Sequence, residues 1–262
     1  NHVKKAWISI GLLAATLIIN TLGALGYING LSQKEISDKF VTLITPGPST
    51  FSIWAVIYSL LIISVVVMLL KKDDPYVQRV VNETSFLFWL SCLMNIAWIV
   101  SFSYVQLEVS VLFIGALVLS LSLICMKLLQ LQESRHYLFP LTFGLYTGWL
   151  FIATVVNIAA TLVKIKWDGF GLAQDVWAII MLIVAGTLVI LVQLINKNAV
   201  FGLPVAWAFF GIYQFLSSPL GFNNEFRLLQ VIALVGMTVL IGASAIQFYR
   251  NEFGIIPENS IQ

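Results

Sequence analysis

Eight stretches of about 20 mostly apolar residues follow one another along the chain, at roughly 6–29, 50–70, 84–105, 107–130, 139–163, 175–196, 199–218 and 226–249. Each is as long as an α-helix must be to cross the hydrocarbon core of a bilayer. Backbone N–H and C=O groups in lipid have to be satisfied within the segment itself, which a helix does. The sequence therefore predicts an all-α, polytopic membrane protein with eight spans. Composition agrees: 60% of the residues are hydrophobic and 10% charged, against about 45–50% and 25% in a soluble domain. The run at 6–29 follows Lys4 and Lys5 as a signal peptide would. It is too long for a signal-peptide core and no small-residue cleavage pattern closes it, so it is read as the first span. Cys92 and Cys125 sit inside apolar runs without metal or redox spacing and read as small packing residues. A net charge of +2 with no basic run gives no footprint for nucleic acid.

Eight spans place both termini on one side. Lys4, Lys5, Lys71, Lys72, Arg79, Lys127, Arg135, Lys197 and Arg250 fall on that side, and Lys34, Lys39, Lys164, Lys166 and Arg227 on the other. The excess of cations puts both termini in the cytoplasm, with the plasma membrane as the expected location. Only the connection at 30–49 is long. Its residues Ser37 to Ile44 are expected to form a short amphipathic helix at the interface, and Pro46 and Pro48 to enforce an extended entry into the second span. Trp7, Trp167 and Trp177 lie near span ends, as aromatic-belt residues do.

The fifth stretch, Phe139 to Ile165, is unusual in carrying Tyr146, Thr147, Trp149, Thr154 and Asn157 in its middle. Polar groups in hydrocarbon need partners. Asn20, Thr21, Ser52, Tyr58, Asn95 and Gln214 are the corresponding neutral groups of other spans, and no ionisable residue lies near the middle of any span. That pattern disfavours an ion or proton pump. It suits either a large, mostly apolar ligand held by a few directed contacts or hydrogen bonds that glue helices together. Gly144, Gly148 and Ala153 form a thin strip that lets a neighbouring backbone approach.

Three patterns place aromatic and polar groups a turn apart: Trp54-Ala-Val-Ile-Tyr58 in span two, Asn95-Ile-Ala-Trp98 in span three, and Trp149, Ala153 and Asn157 at four-residue steps in span five. Together they could wall a cavity. In kind, order and helix number they resemble the translocator protein family, also called tryptophan-rich sensory proteins or peripheral benzodiazepine receptors. The resemblance covers residues 6–163. It implies a five-helix bundle whose pocket is closed by the loop between helices one and two, and a tetrapyrrole, a sterol or another lipid as ligand. By this resemblance Trp54 and Trp149 face the pocket, and in some bacterial members the matching tryptophans are associated with light-dependent porphyrin breakdown. Ala153 and Asn157 match the fifth-helix ligand face, and Asn95 and Trp98 the third-helix wall. The chain departs from the family where Thr45-Pro46-Gly47-Pro48-Ser49 has prolines but lacks the expected first-loop tryptophan. It also continues past the family's five helices. The expected organisation is thus a bundle at 1–165 and a three-helix membrane extension at 166–262. Span seven, with Pro204, Trp207, Tyr213 and Gln214, is expected to touch the pocket or imitate a partner helix.

His2 and His136 lack a second metal ligand at helical spacing, and no nucleophile motif, phosphate loop or embedded carboxylate pair is present. No catalytic or metal-binding residue is assigned, and enzymatic breakdown of a porphyrin enters only through the resemblance. The expected function is a membrane-embedded binding protein or sensor for a hydrophobic aromatic ligand, by the resemblance a tetrapyrrole. Its expected ligand face comprises Trp54, Tyr58, Asn95, Trp98, Tyr146, Trp149, Ala153 and Asn157. The alternatives are a transporter of a neutral or amphipathic small molecule and a scaffold with no ligand. Lipid, a small hydrophobic ligand and a second copy of the chain are the partners considered.

Overall fold

A computed structural model of the chain describes residues 1–259, all helical or irregular, with no strand among them; the last three residues of the expected 166–262 extension lie outside the described residues. The helices are α1 (His2–Ala24), α2 (Gln33–Lys39), α3 (Ile53–Leu70), α4 (Pro75–Ser103), α5 (Leu107–Leu131), α6 (Leu138–Lys164), α7 (Gln174–Asn196), α8 (Leu203–Ser217) and α9 (Arg227–Arg250). Short 3₁₀ turns stand at Pro48–Ser52 and Gly169–Gly171. Among the described residues seven helices are long and apolar enough to cross a membrane. The seventh expected span, 199–218, forms α8, which has only 15 residues. Residues 197–202 at its start make a turn instead of helix, and Pro204, which fits the first turn of a helix, marks where α8 begins.

The amphipathic helix in the first connection lies earlier than expected. Ser32 accepts from the Glu35 amide while the Glu35 side chain accepts from the Ser32 amide, a reciprocal cap that starts α2 at Gln33. Residues 40–44 then leave the helix, and Leu43 and Ile44 are buried in the body of the protein.

Helices α1, α3, α4, α5 and α6 pack in a closed group: α1 on α4 and α3, α4 on α5, α5 on α6, and α6 back on α3. Helix α8 packs on α6, on α9 and on the Pro48–Ser52 turn, and α7 reaches mainly α9. The most buried of the last three helices is therefore the short one, with Val205, Ala208, Phe209, Ile212 and Leu216 sealed from the surroundings.

Lys5 reaches Asn82 (3.4 Å), Arg79 pairs with Glu133 (3.5 Å) and Arg135 with Glu258 (3.9 Å). These contacts gather the start of α1, the start of α4, the α5–α6 connection and the chain's tail at one end of the bundle. The His136 ring also lies flat on Tyr76, with centroids 3.5 Å apart. The α5–α6 connection is thus tied down on both sides. Burial holds the His136 imidazole below its ordinary pKa, opposed by the nearby Asp74 carboxylate and assisted by Arg79 and Lys71. Cys92 and Cys125 are free and buried.

At the same end the α7–α8 turn sinks into the protein, level with Gly144 and Gly148 of α6. Irregular backbone at membrane depth is tolerated only where protein satisfies it, and Asn198 does this here. Its side-chain amide donates to the Pro140 carbonyl (3.0 Å), its Oδ1 accepts from the Val200 amide (3.1 Å), and its carbonyl accepts from Gln193 Nε2 (2.9 Å). Gly144 makes room, since a Cβ there would run into the Asn198 side chain. The thin strip of α6 therefore admits a neighbouring backbone, that of the α7–α8 turn.

Candidate functional site

Trp54 leaves the Pro48–Ser52 turn on the first turn of α3, which directs its ring into the space between α3, α4 and α6. There it stacks on Tyr58, one turn further along α3 (centroids 4.9 Å, planes 25° apart). Across the gap it meets Tyr146 at 6.3 Å and Trp149 at 6.2 Å, both edge-on, and Trp98 at 6.4 Å. These are the separations at which aromatic pairs attract through their quadrupoles. The three stripes read from the sequence thus converge on one ring.

Behind the rings runs a line of neutral hydrogen bonds. Tyr58 Oη donates to Asn20 Oδ1 (2.7 Å), Asn20 Nδ2 donates to Asn95 Oδ1 (2.8 Å), and Asn95 Nδ2 donates to Tyr146 Oη (2.7 Å). It crosses four helices, α3, α1, α4 and α6. A second line starts at Trp98, whose indole N–H donates to Asn157 Oδ1 (3.2 Å), and continues as Asn157 Nδ2 donates to Ser110 Oγ (3.0 Å) on α5. Asn95 is fully buried, and Tyr146 and Asn157 nearly so. Both asparagines are satisfied by other helices, as buried amides in lipid must be.

Trp149 differs from these residues. It is 2% exposed, yet its indole N–H has no acceptor. Its ring is held by Trp54 and by Phe51 of the Pro48–Ser52 turn, edge-on at 5.9 Å. Ala153 lies half-buried one turn beyond Trp149 and one turn before Asn157, and adds no polar group. The aromatic and amide residues expected at the site are thus brought together.

Asn20, Phe51 and Ser110 belong to the cluster although the expected ligand face leaves them out. Asn20 had a signal, an amide in the middle of span one. Phe51 and Ser110 had none, because a phenylalanine or a serine in an apolar stretch is unremarkable. Not every polar residue at depth joins in. Thr21 and Thr154 donate to Leu17 and Leu150 of their own helices (2.8 and 2.6 Å), the local bond that short hydroxyl side chains make readily.

The family model for TSPO-like proteins matches residues 6–246. The chain belongs to the TSPO-like family. The match runs through α7 and α8 and most of α9, beyond residue 163 where the motif resemblance stops. Neither a curated protein nor a solved structure matches the chain significantly. Membership of the TSPO-like family points to ligand binding, sensing or transport within the membrane, and the cluster around Trp54 is where this TSPO-like chain concentrates its directed contacts.

Proposed function

We propose that the chain is a membrane receptor for a flat, apolar ligand of the tetrapyrrole class, bound between α3, α4 and α6. One observation carries this reading: an aromatic cluster that contains a buried indole N–H, that of Trp149, with no acceptor. Orphaned buried donors are costly and uncommon. A ligand with an acceptor on its rim and a broad π-face would satisfy both the donor and the rings. The rings touch one another, so the ligand takes its place by side-chain rotation. Trp54, half-buried and in contact with Tyr58, Trp98, Tyr146 and Trp149, is the pivot. Both termini face the cytoplasm in this reading.

Protoporphyrin titrated into the purified protein is expected to quench tryptophan fluorescence saturably. Trp149→Phe, which removes the donor and keeps an aromatic ring, should weaken binding about 2- to 13-fold, the range for one hydrogen bond. Identical titration curves for wild type and Trp149→Phe would exclude this site. A second reading, transport of a neutral or amphipathic solute, draws on the non-helical 197–202 turn sunk against α6, since broken helices line many transport paths. Flux into proteoliposomes above that of empty vesicles would select it.

A further inference from the structure

The Pro48–Ser52 turn is a boundary of the aromatic cluster: Phe51 packs on Trp149, and Trp54 follows two residues after the turn ends. Pro46 and Pro48 restrict its backbone, and its contacts with α8 fix where it sits. The Gly47 amide donates to the Gly211 carbonyl of α8 (2.9 Å). The Trp207 indole N–H, one turn earlier on α8, donates to the Thr50 carbonyl (2.8 Å). Between these bonds Thr50 is buried directly against Gly211, where an added Cβ would collide with Thr50 Oγ1 and approach its Cβ and Cγ2 at 2.9 Å.

Neither bond belongs to helical structure. The Gly211 carbonyl is one that the regular helix ladder gives to the Phe215 amide, and here it also takes a donor from a segment about 160 residues distant in sequence. The close approach that makes this possible exists because position 211 has no side chain. Helix α8 is thus fastened to the segment that covers Trp149 by one main-chain hydrogen bond and one bond from a side-chain indole to a main-chain carbonyl.

We propose that α8 latches the 47–52 turn shut, with Trp207 and Gly211 as positioning residues that set how often the aromatic cluster opens. The proposal rests on the reading of that cluster as the ligand site. A latch of this kind sits off the ligand and acts on the open population. Weakening it raises entry and exit together and leaves affinity nearly constant while the closed state still dominates. Damage to the site itself would instead change affinity, mainly through the exit rate.

Trp207→Phe removes the donor and keeps the ring at a position that is 40% exposed, so the fold is not at stake. It is expected to speed amide exchange in the 47–52 segment about fivefold, the factor for one ordinary hydrogen bond. Protoporphyrin association and dissociation, followed by stopped-flow quenching, should rise by the same factor with Kd within twofold of wild type. Gly211→Ala, whose methyl group displaces Thr50, should move all three rates further in the same direction. Hydrogen–deuterium exchange in the full-length protein reads the latch without any ligand. Unchanged exchange in a folded Trp207→Phe protein overturns it. Faster exchange with unchanged protoporphyrin rates, or a weaker Kd at constant association rate, overturns its role as a gate. If wild type shows no saturable quenching, the ligand reading has failed and exchange alone decides whether α8 holds the turn.

Discussion

Gly148→Ala will lower the thermal stability of the protein in detergent, and Gly115→Ala will not. At Gly148 of α6 a Cβ would strike the carbonyl oxygen of Phe201, lie 3.1 Å from the Phe201 carbonyl carbon and lie 3.3 Å from Pro204 Cδ. Two of these atoms are backbone, in the turn that Asn198 pins to α6, and the third belongs to a proline ring. None can swing aside as the end of a long side chain would. The turn has to back away from α6, stretching the bond from Asn198 to the Pro140 carbonyl and loosening Phe201, which is 1% exposed and contacts Phe151. Overpacking of this kind costs about 1–3 kcal/mol, and more where backbone must move. A Cβ at Gly115 of α5 meets nothing within 4 Å, so there alanine brings only its better helix propensity, worth up to about 1 kcal/mol in stability. The two substitutions should shift the melting temperature in opposite directions. A Gly148→Ala protein as stable as wild type would mean that the α7–α8 turn does not rest on α6.

The extent to which this architecture can be read from the chain depends on which force sets each part. Span positions follow from hydrophobicity, which acts residue by residue, so α1, α3, α5, α6, α7 and α9 lie close to where the sequence places them, whereas α4 starts at Pro75, before the expected residue 84, because Asp74 caps it and its first turns are too polar to read as a span. Spacing also identifies Trp54 with Tyr58, Asn95 with Trp98 and Trp149 with Asn157, because side chains three or four apart share a helix face. Which face meets which is a tertiary matter. The sequence shows that Asn20 is an amide in lipid, but only the packing of α1 on α4 reveals that Asn95 is its partner. The failure at α8 is instructive for the same reason. Residues 199–202 are apolar enough to extend a helix, and with Lys197 and Asn198 they form a turn because Gly144 and Gly148, more than 50 residues away, leave room for Asn198 and Phe201. The helix in the first connection lies before the expected Ser37–Ile44 because its reciprocal Ser32 and Glu35 cap outweighs a weak amphipathic pattern further on.

The second large effect is expected at Asn95, where a leucine of similar size should cost about 3 kcal/mol. Asn95 is fully buried and takes part in two hydrogen bonds, accepting from Asn20 and donating to Tyr146. Hydrogen bonds between membrane helices contribute about 0.6–1.7 kcal/mol each. Removing one partner also strands the other, and a buried orphan costs about 1–3 kcal/mol. Asn20 retains its bond to the Thr16 carbonyl (2.8 Å), so the larger penalty falls on Tyr146, whose hydroxyl loses its donor in a site only 3% exposed. This makes the prediction directional. Adding Tyr146→Phe to Asn95→Leu removes the stranded hydroxyl, so the double variant should be more stable than the sum of the two single losses implies. The expected coupling is about 1 kcal/mol or more in a double-mutant cycle. Simple additivity would mean that the hydroxyl is satisfied elsewhere and that the line from Tyr58 to Tyr146 does not act as a unit. The same line fixes the tyrosines that flank Trp54 on two sides, which links stability to ligand binding. A folded Asn95→Leu protein should therefore also bind protoporphyrin more weakly, although residue 95 has no ring to offer it.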